Sequence, residues 1–343
     1  KLERFSMLED IQYQYLSIPL SGLNQADEDN RISIPADYAR LEKSISETGL
    51  ISPLIVCASW AGYKVICGFK RLDILKKIKP GAPVKCLVTD PLPPAGQLAL
   101  NIAENISSRE LNPVEAANAI AKLSAFYGRG EIIEKFLPAM NIQKSEYAYN
   151  KYISLASLGR RAKEFTASGR IPLAAAFQIV KFSCSEQEMF LNVIEACRMG
   201  ANLIVETAQL VFETSMQYGV CAGEILTRAG CESIISNADL TPNQKTEEIR
   251  RALHSLKRPM YESAMARFRE LAAEFDSRKI SLNPFAYFEK DEISVKFNIT
   301  SIKDLETKIA ALERLKESRL AAEFLKNNGG HGDGARKEGK AGR

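Results

Sequence analysis

The stretch YKVICGFKRLDIL, residues 63–75, changes at Gly68 from an apolar strand pattern to an amphipathic helix pattern. Lys70 and Arg71 fall in the first turn of the predicted helix. Free backbone amides, the positive end of a helix dipole and two cations are together typical of an anion-binding site. The same residue types also occur as a solvated basic surface in many folds, so the segment favours an anion site only where its surroundings agree.

The segments on either side predict a small α+β domain, residues 1–94. Four short segments are apolar or rich in β-branched and aromatic residues, as strands are: YLSIPL (15–20), PLIVC (53–57), YKVIC (63–67) and VKCLV (84–88). SIPADYARLEKSISETG, residues 33–49, predicts a helix with Pro35 in its first turn and Gly49 just after its end. The prolines of residues 91–96 then end the domain.

Residues 95–235 predict an all-helical domain, because strand patterns disappear there. Asn112 is a good helix N-cap, with Pro113 at the first helical position and Glu115 at the third, and the helix is expected to run to about Phe126. Four further helices are predicted at 160–168, 172–181, 186–198 and 202–215.

Two short helical patterns, EIIEKFLPAM (131–140) and KSEYAYNKYISLAS (144–157), predict a helix-turn-helix over residues 131–156. In the second pattern Tyr149, Tyr152 and Ile153 are expected to face the core. The side chains left to reach a DNA groove are Lys144, Ser145, Tyr147, Asn150 and Lys151. Asparagine suits adenine, and lysine suits phosphate.

The distribution of charge supports this interpretation. The whole chain has a net charge of +4, whereas the segment from Lys122 to Lys181 contains ten Lys or Arg and four Glu. The positive charge is therefore concentrated around the predicted helix-turn-helix, as it is in proteins that bind DNA. Short basic helices are also often no more than solvated surface.

The C-terminal part, residues 236–326, predicts a helical linker followed by a ββα unit. A helix is expected at 260–275, then strands within 278–285 and 292–299, and then a helix that Ser301 and Asp304 cap. That last helix has an apolar stripe formed by Leu305, Ile309, Leu312 and Leu315. The stripe predicts self-association, or docking onto the preceding helices. Residues 327–343 are Gly-rich and basic, which predicts a flexible tail.

Composition excludes several classes of protein. Of the 343 residues 45% are hydrophobic and 26% are charged, which is typical of a globular chain of more than one domain. No apolar run approaches the length of a membrane helix, and no export signal is visible, so we expect a cytoplasmic protein, associated with the nucleoid or a plasmid. Seven cysteines without a CxxC pair and two histidines favour buried thiols over zinc sites or disulfides.

Several stretches occur in a specific order: LEKSISETGLISPLIV (41–56), GFKR (68–71), ENISSRELNPVEAANAI (104–120) and the predicted helix-turn-helix. In this order the chain resembles the ParB family of DNA-partition proteins, from about Leu16 to Phe182. The resemblance implies an N-terminal domain of the ParB and sulfiredoxin fold that binds CTP with Mg²⁺, a central DNA-binding domain and a C-terminal dimerisation domain. It also implies a homodimer that acts as a sliding clamp loaded at a centromere-like site, and a partner ATPase of the ParA type.

The resemblance also assigns site residues. Gly68, Lys70 and Arg71 would hold phosphates, and Thr48, Gly49 and Leu50 would lie near the nucleotide. Glu104 and Asn105 would serve both the metal and the phosphates, and their oxygens are of the hard type that Mg²⁺ prefers.

The chain departs from the family pattern at three places. The usual Gly-Glu-Arg-Arg is Gly68-Phe69-Lys70-Arg71 here, which removes a carboxylate and replaces a forked guanidinium with a point charge. Asp29-Asn30-Arg31 stands in place of Gln-Pro-Arg. Ser108 stands where an arginine usually follows the Glu-Asn pair, and Arg109 comes next. We therefore expect nucleotide binding, whereas a weak CTPase activity stays open and no catalytic residue is assigned.

Two other functions are compatible with the same scaffold. One is a transcriptional regulator that binds DNA without a nucleotide switch, which the changed GFKR motif favours. The other is a ParB-like nuclease, for which the few histidines and the lack of a tight acidic cluster give little support. Repair chemistry of the sulfiredoxin type is not expected, because Phe69 follows Gly68 and Cys67 precedes it, inside a predicted strand.

Overall fold

The computed structural model describes residues 11–34, 38–60, 62–276, 280–284, 293–319 and 321–322. The chain forms two compact units, Lys1–Glu247 and Glu248–Arg343. The first contains a five-stranded sheet and many helices, and the second contains helices and a two-stranded sheet, so the protein is α+β. No helix in the described part of the chain is long and apolar enough to cross a membrane.

A mixed sheet forms the core of the N-terminal part. Its strands are β1 Tyr13–Pro19, β2 Leu23–Asn24, β3 Leu54–Ser59, β4 Gly62–Cys67 and β5 Pro83–Thr89. They lie in the order β1-β5-β3-β4-β2. The β3–β5 and β2–β4 pairs are parallel, and the β1–β5 and β3–β4 pairs are antiparallel. All four predicted strands are therefore confirmed, and β2 is an additional strand.

Three helices cover the sheet: α1 Ala39–Thr48, α2 Phe69–Ile78 and α3 Pro94–Ser108. Helices α1 and α2 pack on the face where alternate strand residues such as Val56 and Val84 are buried. Helix α3 covers the opposite face, where Leu100 packs against Ile66. The predicted first turn at Pro35 lies outside the described residues.

Gly68 forms the turn between β4 and α2, and its backbone requires a glycine. Its φ is +99°, and a Cβ atom there would lie 2.5 Å from Cδ2 of Leu54. Because the turn is this tight, the first turn of α2 with Lys70 and Arg71 lies beside α3.

The rest of the first unit is helical. Its elements are α4 Pro113–Leu123, α5 Arg129–Glu131, a π-helical turn Ile132–Phe136, α6 Leu137–Ala139, α7 Glu146–Leu155, α8 Arg160–Ala167, α9 Leu173–Ile179, α10 Cys184–Cys197, α11 Ala201–Tyr218, α12 Ala222–Arg228 and α13 Cys231–Ser236, and α14 Pro242–Lys257 crosses the boundary between the units. The predicted cap at Asn112 is confirmed, because its Oδ1 accepts hydrogen bonds from the amides of Val114 (3.0 Å) and Glu115 (2.9 Å). Helix α4 ends at Leu123, slightly before the predicted end.

The region of the predicted helix-turn-helix contains two helical segments, residues 129–139 and α7. They are joined by a tight link in which Asn141 has a φ of +58°. Tyr149, Tyr152 and Ile153 are half-buried against the helical core, as the sequence predicts.

Helices α10 and α12 share one capping carboxylate. Glu186 Oε2 accepts a hydrogen bond from the amide of Ser183 (2.6 Å) at the start of α10, and its Oε1 accepts one from the amide of Gly223 (2.9 Å) in α12. Partial burial acts to raise the pKa of Glu186, but these amide hydrogen bonds outweigh it and lower the pKa to about 2.

The second unit contains α15 Pro259–Asp276, an antiparallel pair of strands, β6 Ser281–Pro284 and β7 Ile293–Lys296, and α16 Ile302–Glu317. Ser301 caps α16 by accepting a hydrogen bond from the amide of Asp304 (3.0 Å). The predicted apolar stripe of α16 is divided. Ala311 is buried, Leu315 packs beside it, and Ile309 is 48% exposed.

Two exposed features stand outside these cores. Trp60, the only tryptophan of the chain, lies fully exposed in the turn between β3 and β4. All seven cysteines are free thiols, and five are buried as predicted. Cys184 and Cys221 are exposed, because they lie at the start of α10 and at the N-cap of α12.

Candidate functional site

A cleft of about 320 Å³ lies at the junction of the β4–α2 turn with α3. It brings together five of the predicted site residues: Gly68, Lys70, Arg71, Glu104 and Asn105. Further polar side chains in its lining come from Ser33, Ser52, Asn101, Ser108 and Arg109. The cleft therefore combines three cations with a carboxylate, amides and hydroxyls.

The predicted residues Thr48, Gly49 and Leu50 are not among the residues that line this cleft. Leu50 packs against the core of the sheet, and Thr48 Oγ1 donates a hydrogen bond to the carbonyl of Ser44 (2.8 Å). Ser52, two residues beyond Leu50, does line the cleft. The chain thus reaches the cleft just after the predicted triplet.

Arg71 connects three parts of the N-terminal domain. Its Nη1 donates hydrogen bonds to the carbonyls of Ser52 (2.9 Å) and Pro53 (2.8 Å), and its Nη2 lies 3.2 Å from Glu104 Oε1. These contacts fix the guanidinium at the wall of the cleft, although 18% of the side chain stays exposed.

Lys70 pairs with a buried carboxylate. Its Nζ lies 2.9 Å from Oε1 of Glu115, whose side chain is fully buried. Arg109 also contacts Glu115, with Nη1 2.6 Å from Oε2 and Nη2 2.9 Å from Oε1. Burial acts to raise the pKa of Glu115, but the hydrogen bonds and charges of Arg109 and Lys70 outweigh it and lower the pKa.

The Glu-Asn pair also contacts arginines. Asn105 Oδ1 accepts a hydrogen bond from Arg109 Nη2 (2.9 Å), and Glu104 pairs with Arg71. Both predicted oxygen donors therefore lie in the cleft and already bind cations. Among the described residues, no group of three or more His, Cys, Asp or Glu side chains is placed to hold a metal ion.

The contribution of Arg109 and Glu115 to this cluster was not predicted. Arg109 occupies the position after Ser108, and in the structure it reaches both Asn105 and Glu115. The position of Glu115, three residues after Asn112, predicts a role in a helix cap. The sequence gives no sign that Glu115 is also an ion-pair partner.

The Asp29-Asn30-Arg31 segment contacts several other elements of the N-terminal domain. Arg31 pairs with Asp73 and Glu28, and Asn30 is buried and donates hydrogen bonds to the carbonyl of Val65 (3.2 Å) and to Gln97 Oε1 (3.1 Å). The side chains of Asn30 and Arg31 therefore both make contacts that stabilise the fold.

Cys67 is the last residue of β4, directly before Gly68, and is completely buried. Burial raises the pKa of its thiol well above the ordinary value. A buried thiol with a raised pKa is a poor nucleophile at neutral pH.

The predicted DNA-contacting side chains lie at the start or along the exposed side of α7, and each of them contacts another residue of the protein. Ser145 is the N-cap, with Oγ accepting a hydrogen bond from the amide of Ala148 (3.1 Å), and Lys144 pairs with Glu134. Asn150 Oδ1 accepts a hydrogen bond from Arg129 Nη2 (3.0 Å). A separate pair of aromatic contacts holds Lys151, whose Nζ lies 4.4 Å from the ring centroid of Tyr147 and 4.7 Å from that of Phe177.

The positive charge around α7 is less concentrated than the sequence predicts. Arg161 pairs with Glu188 and Glu195, and Arg170 also pairs with Glu195. Both carboxylates belong to α10, which lies beyond the segment from Lys122 to Lys181. The fold therefore neutralises part of the charge that a count along the sequence assigns to this region.

The motifs and the cleft can be compared with known proteins. The probable chromosome-partitioning protein ParB of Campylobacter jejuni is 29% identical over 154 residues, which are 45% of this chain and 53% of the relative. The protein of the same name from Helicobacter pylori is 27% identical over 154 residues, covering 45% and 51% of the two chains. The chain thus spans about half the length of the curated relatives it matches.

Two solved structures are also similar. One is the C-terminally truncated ParB of Caulobacter crescentus complexed with CTP-γ-S, at 19% identity and a TM-score of 0.26, covering 50% of this chain and 94% of that one. The other is a Pnob8-like ParB-N domain, at 17% identity and a TM-score of 0.35, covering 73% and 99%. No family model matches the chain. Over these 154 residues, which include the ordered motifs, the chain is thus similar to chromosome-partitioning proteins named ParB.

Proposed function

We propose that this chain is a ParB-like partition protein. It binds a centromere-like DNA site, and nucleotide binding controls its binding to DNA. The observation that carries the proposal is the cleft, which is lined by residues from three separated motifs: Ser52, then Gly68 to Arg71, and then Glu104, Asn105 and Arg109. Segments that are far apart in the sequence and converge on one polar cleft are typical of a ligand site.

A nucleoside triphosphate suits the donors of this cleft. Lys70, Arg71 and Arg109 supply positive charge for phosphate oxygens, and Ser33 and Ser52 supply hydroxyls. The choice of CTP rests on the family resemblance. Glu104 and Asn105 are the residues that would hold Mg²⁺, and one carboxylate is sufficient where the phosphates and water complete the octahedron.

DNA binding is assigned to the two helical segments 129–139 and α7. Tyr147 is 66% exposed, Asn150 is exposed, and Lys151 has no carboxylate partner among the described residues. An exposed helix side with an amide and a lysine fits the major groove, where the amide reads a base and the lysine binds phosphate.

The remaining parts of the proposal concern partners. The exposed Ile302 and Ile309 of α16 fit a homodimer formed through the C-terminal ββα unit. An ATPase of the ParA type is the partner that the family implies, in the cytoplasm on the nucleoid or a plasmid.

Titration calorimetry with CTP and ATP, each with Mg²⁺, tests the nucleotide part. We expect CTP to bind and ATP to bind more weakly or not at all, whereas equal or absent binding of both would contradict it. DNA pull-down followed by sequencing, with and without CTP, tests the DNA part. The expected result is one enriched site whose recovery depends on CTP.

A second candidate is a transcriptional regulator without a nucleotide switch. The ion pairs of Lys70 with Glu115 and of Arg71 with Glu104 favour it, because both cations already have carboxylate partners. Retention on closed circular DNA separates the two functions. A sliding clamp stays on a closed circle in CTP and leaves a linear fragment, whereas a regulator dissociates from both alike.

A further inference from the structure

Glu115 has more cationic partners than its role as a helix cap requires. The cap uses one hydrogen bond, from the amide of Asn112 to Oε2 (3.2 Å). The same carboxylate also contacts Arg109 through both oxygens and Lys70 through Oε1, although its side chain is 0% exposed. A fully buried carboxylate with two cations beside an open cleft calls for a functional explanation.

The two cations are held in different ways. The guanidinium of Arg109 forms a fork across both carboxylate oxygens, which is the stable arrangement for such a pair. Lys70 adds a single contact of 2.9 Å, and 30% of its side chain is exposed. If Lys70 turns away, Glu115 keeps the forked pair with Arg109, so its buried charge is never left without a partner.

Lys70 is also the most adaptable cation of the cleft. Arg71 is fixed by two carbonyls and Glu104, whereas Lys70 is a point charge on a flexible stem. The change from arginine to lysine in the GFKR motif therefore gives the cleft a cation that can exchange partners.

We infer that Glu115 is the internal counter-ion of the cleft, and that Lys70 leaves it for a phosphate when a ligand binds. Glu115 thereby sets the affinity of the site, because every phosphate ligand competes with the carboxylate for Lys70. The inference rests on the proposed nucleotide site and adds a residue that regulates it.

The test replaces Glu115 with Gln. An amide keeps the shape and still accepts the hydrogen bond from the Asn112 amide, but it no longer neutralises Lys70. We expect E115Q to bind CTP with Mg²⁺, and inorganic tripolyphosphate, about tenfold more tightly than the wild type in calorimetry, with the gain shrinking as salt rises.

Glu186→Gln is the matched control. Glu186 is also the third residue of a capped helix, and its hydrogen bonds are to backbone amides at the starts of α10 and α12. We expect E186Q to bind both ligands as the wild type does. An E115Q protein whose affinities equal those of the wild type, or fall below them, would overturn the inference.

Circular dichroism shows whether E115Q folds. If it folds poorly, a second variant provides the test. Glu115→Asp keeps the negative charge but draws the carboxylate back from both Lys70 and Arg109. Because the retained charge still attracts Lys70 from a greater distance, we expect a smaller gain than in E115Q, about threefold tighter binding. Wild-type protein that binds tripolyphosphate but not CTP would contradict the proposed nucleotide and leave the exchange of Lys70 standing. If no protein binds either ligand, both proposals fail.

Discussion

Two glycines of the N-terminal domain differ in what their backbones require. Gly68 has a left-handed φ and no room for a Cβ beside Leu54, whereas Gly81 has open space around it and needs no positive φ. We expect Gly68→Ala to lower the free energy of unfolding by about 2–4 kcal/mol, from strain and a clash with the core. The measurement is urea unfolding followed by circular dichroism.

Gly81→Ala is the matched control for that variant, and we expect it to change stability by less than about 0.5 kcal/mol. Equal effects of the two substitutions would show that the tight turn at Gly68 does not depend on glycine.

On α7, Asn150 and Lys151 are neighbours with different expected roles. Replacing Asn150 with Ala should cost about 1–3 kcal/mol at a single base position, because an amide reads one base pair. Replacing Lys151 with Ala should weaken all sequences alike and reduce the salt slope by about 1, because lysine binds phosphate. Binding assays with single-base variants of the recovered site measure both.

Lys85→Ala is the control, since Lys85 is an exposed lysine on β5, in the sheet. DNA binding should be unchanged by it. If Asn150→Ala and Lys151→Ala also leave the binding unchanged, the contact surface lies elsewhere.

Sequence alone could predict single residues whose neighbours are local. Gly68 at the turn and Asn112 at its cap follow from the residues next to them. The contact between Lys70 and Glu115 could not be predicted, because 45 residues separate the two and only the tertiary fold places the first turn of α2 near the first turn of α4.

At the level of elements, the carboxylate shared by α10 and α12 makes stability depend on pH. The pKa of Glu186 is lowered to about 2 in the fold, so the unfolded chain binds its proton more readily. The stabilisation is present above the unfolded pKa, near 4.5, and is lost as the pH falls toward 2. We expect E186Q to lose stability at pH 7 and to show a weaker pH dependence between 4.5 and 2.

Thermal unfolding of both proteins between pH 2 and pH 7 measures this effect. The side chain of Glu186 is only partly buried and solvent screens its charge, so the difference at neutral pH should stay within about 1 kcal/mol. Parallel curves for the two proteins across this range would show that the shared cap does not contribute.

Helices and strands with a clear hydrophobic period or a clear cap in the sequence could be predicted, and those without such a signal could not. Four strands and the helix beginning at Asn112 follow from alternation and capping. Strand β2 has two residues, too few to show a period, and it forms only because β4 offers an edge for pairing. The pairing of α8 with Glu188 and Glu195 likewise depends on packing that no window of the sequence contains.

At the level of the whole molecule, the exposed side of α16 is expected to join two copies of the chain. Replacing Ile309 with Asp places a charge on that surface, and we expect the dimer to become a monomer in size-exclusion chromatography with light scattering. Thr307 is exposed on another side of the helix, so Thr307→Asp should remain dimeric. If the I309D variant is still a dimer, the interface lies elsewhere on the protein.

Trp60 has a practical consequence for solution studies of this protein. The indole is already in contact with water in the native state, so its emission maximum should barely move when the chain denatures. Intrinsic fluorescence is therefore a poor reporter of unfolding here. It is a sensitive reporter of anything that covers the β3–β4 turn, because a macromolecule resting there would shift the emission to shorter wavelength.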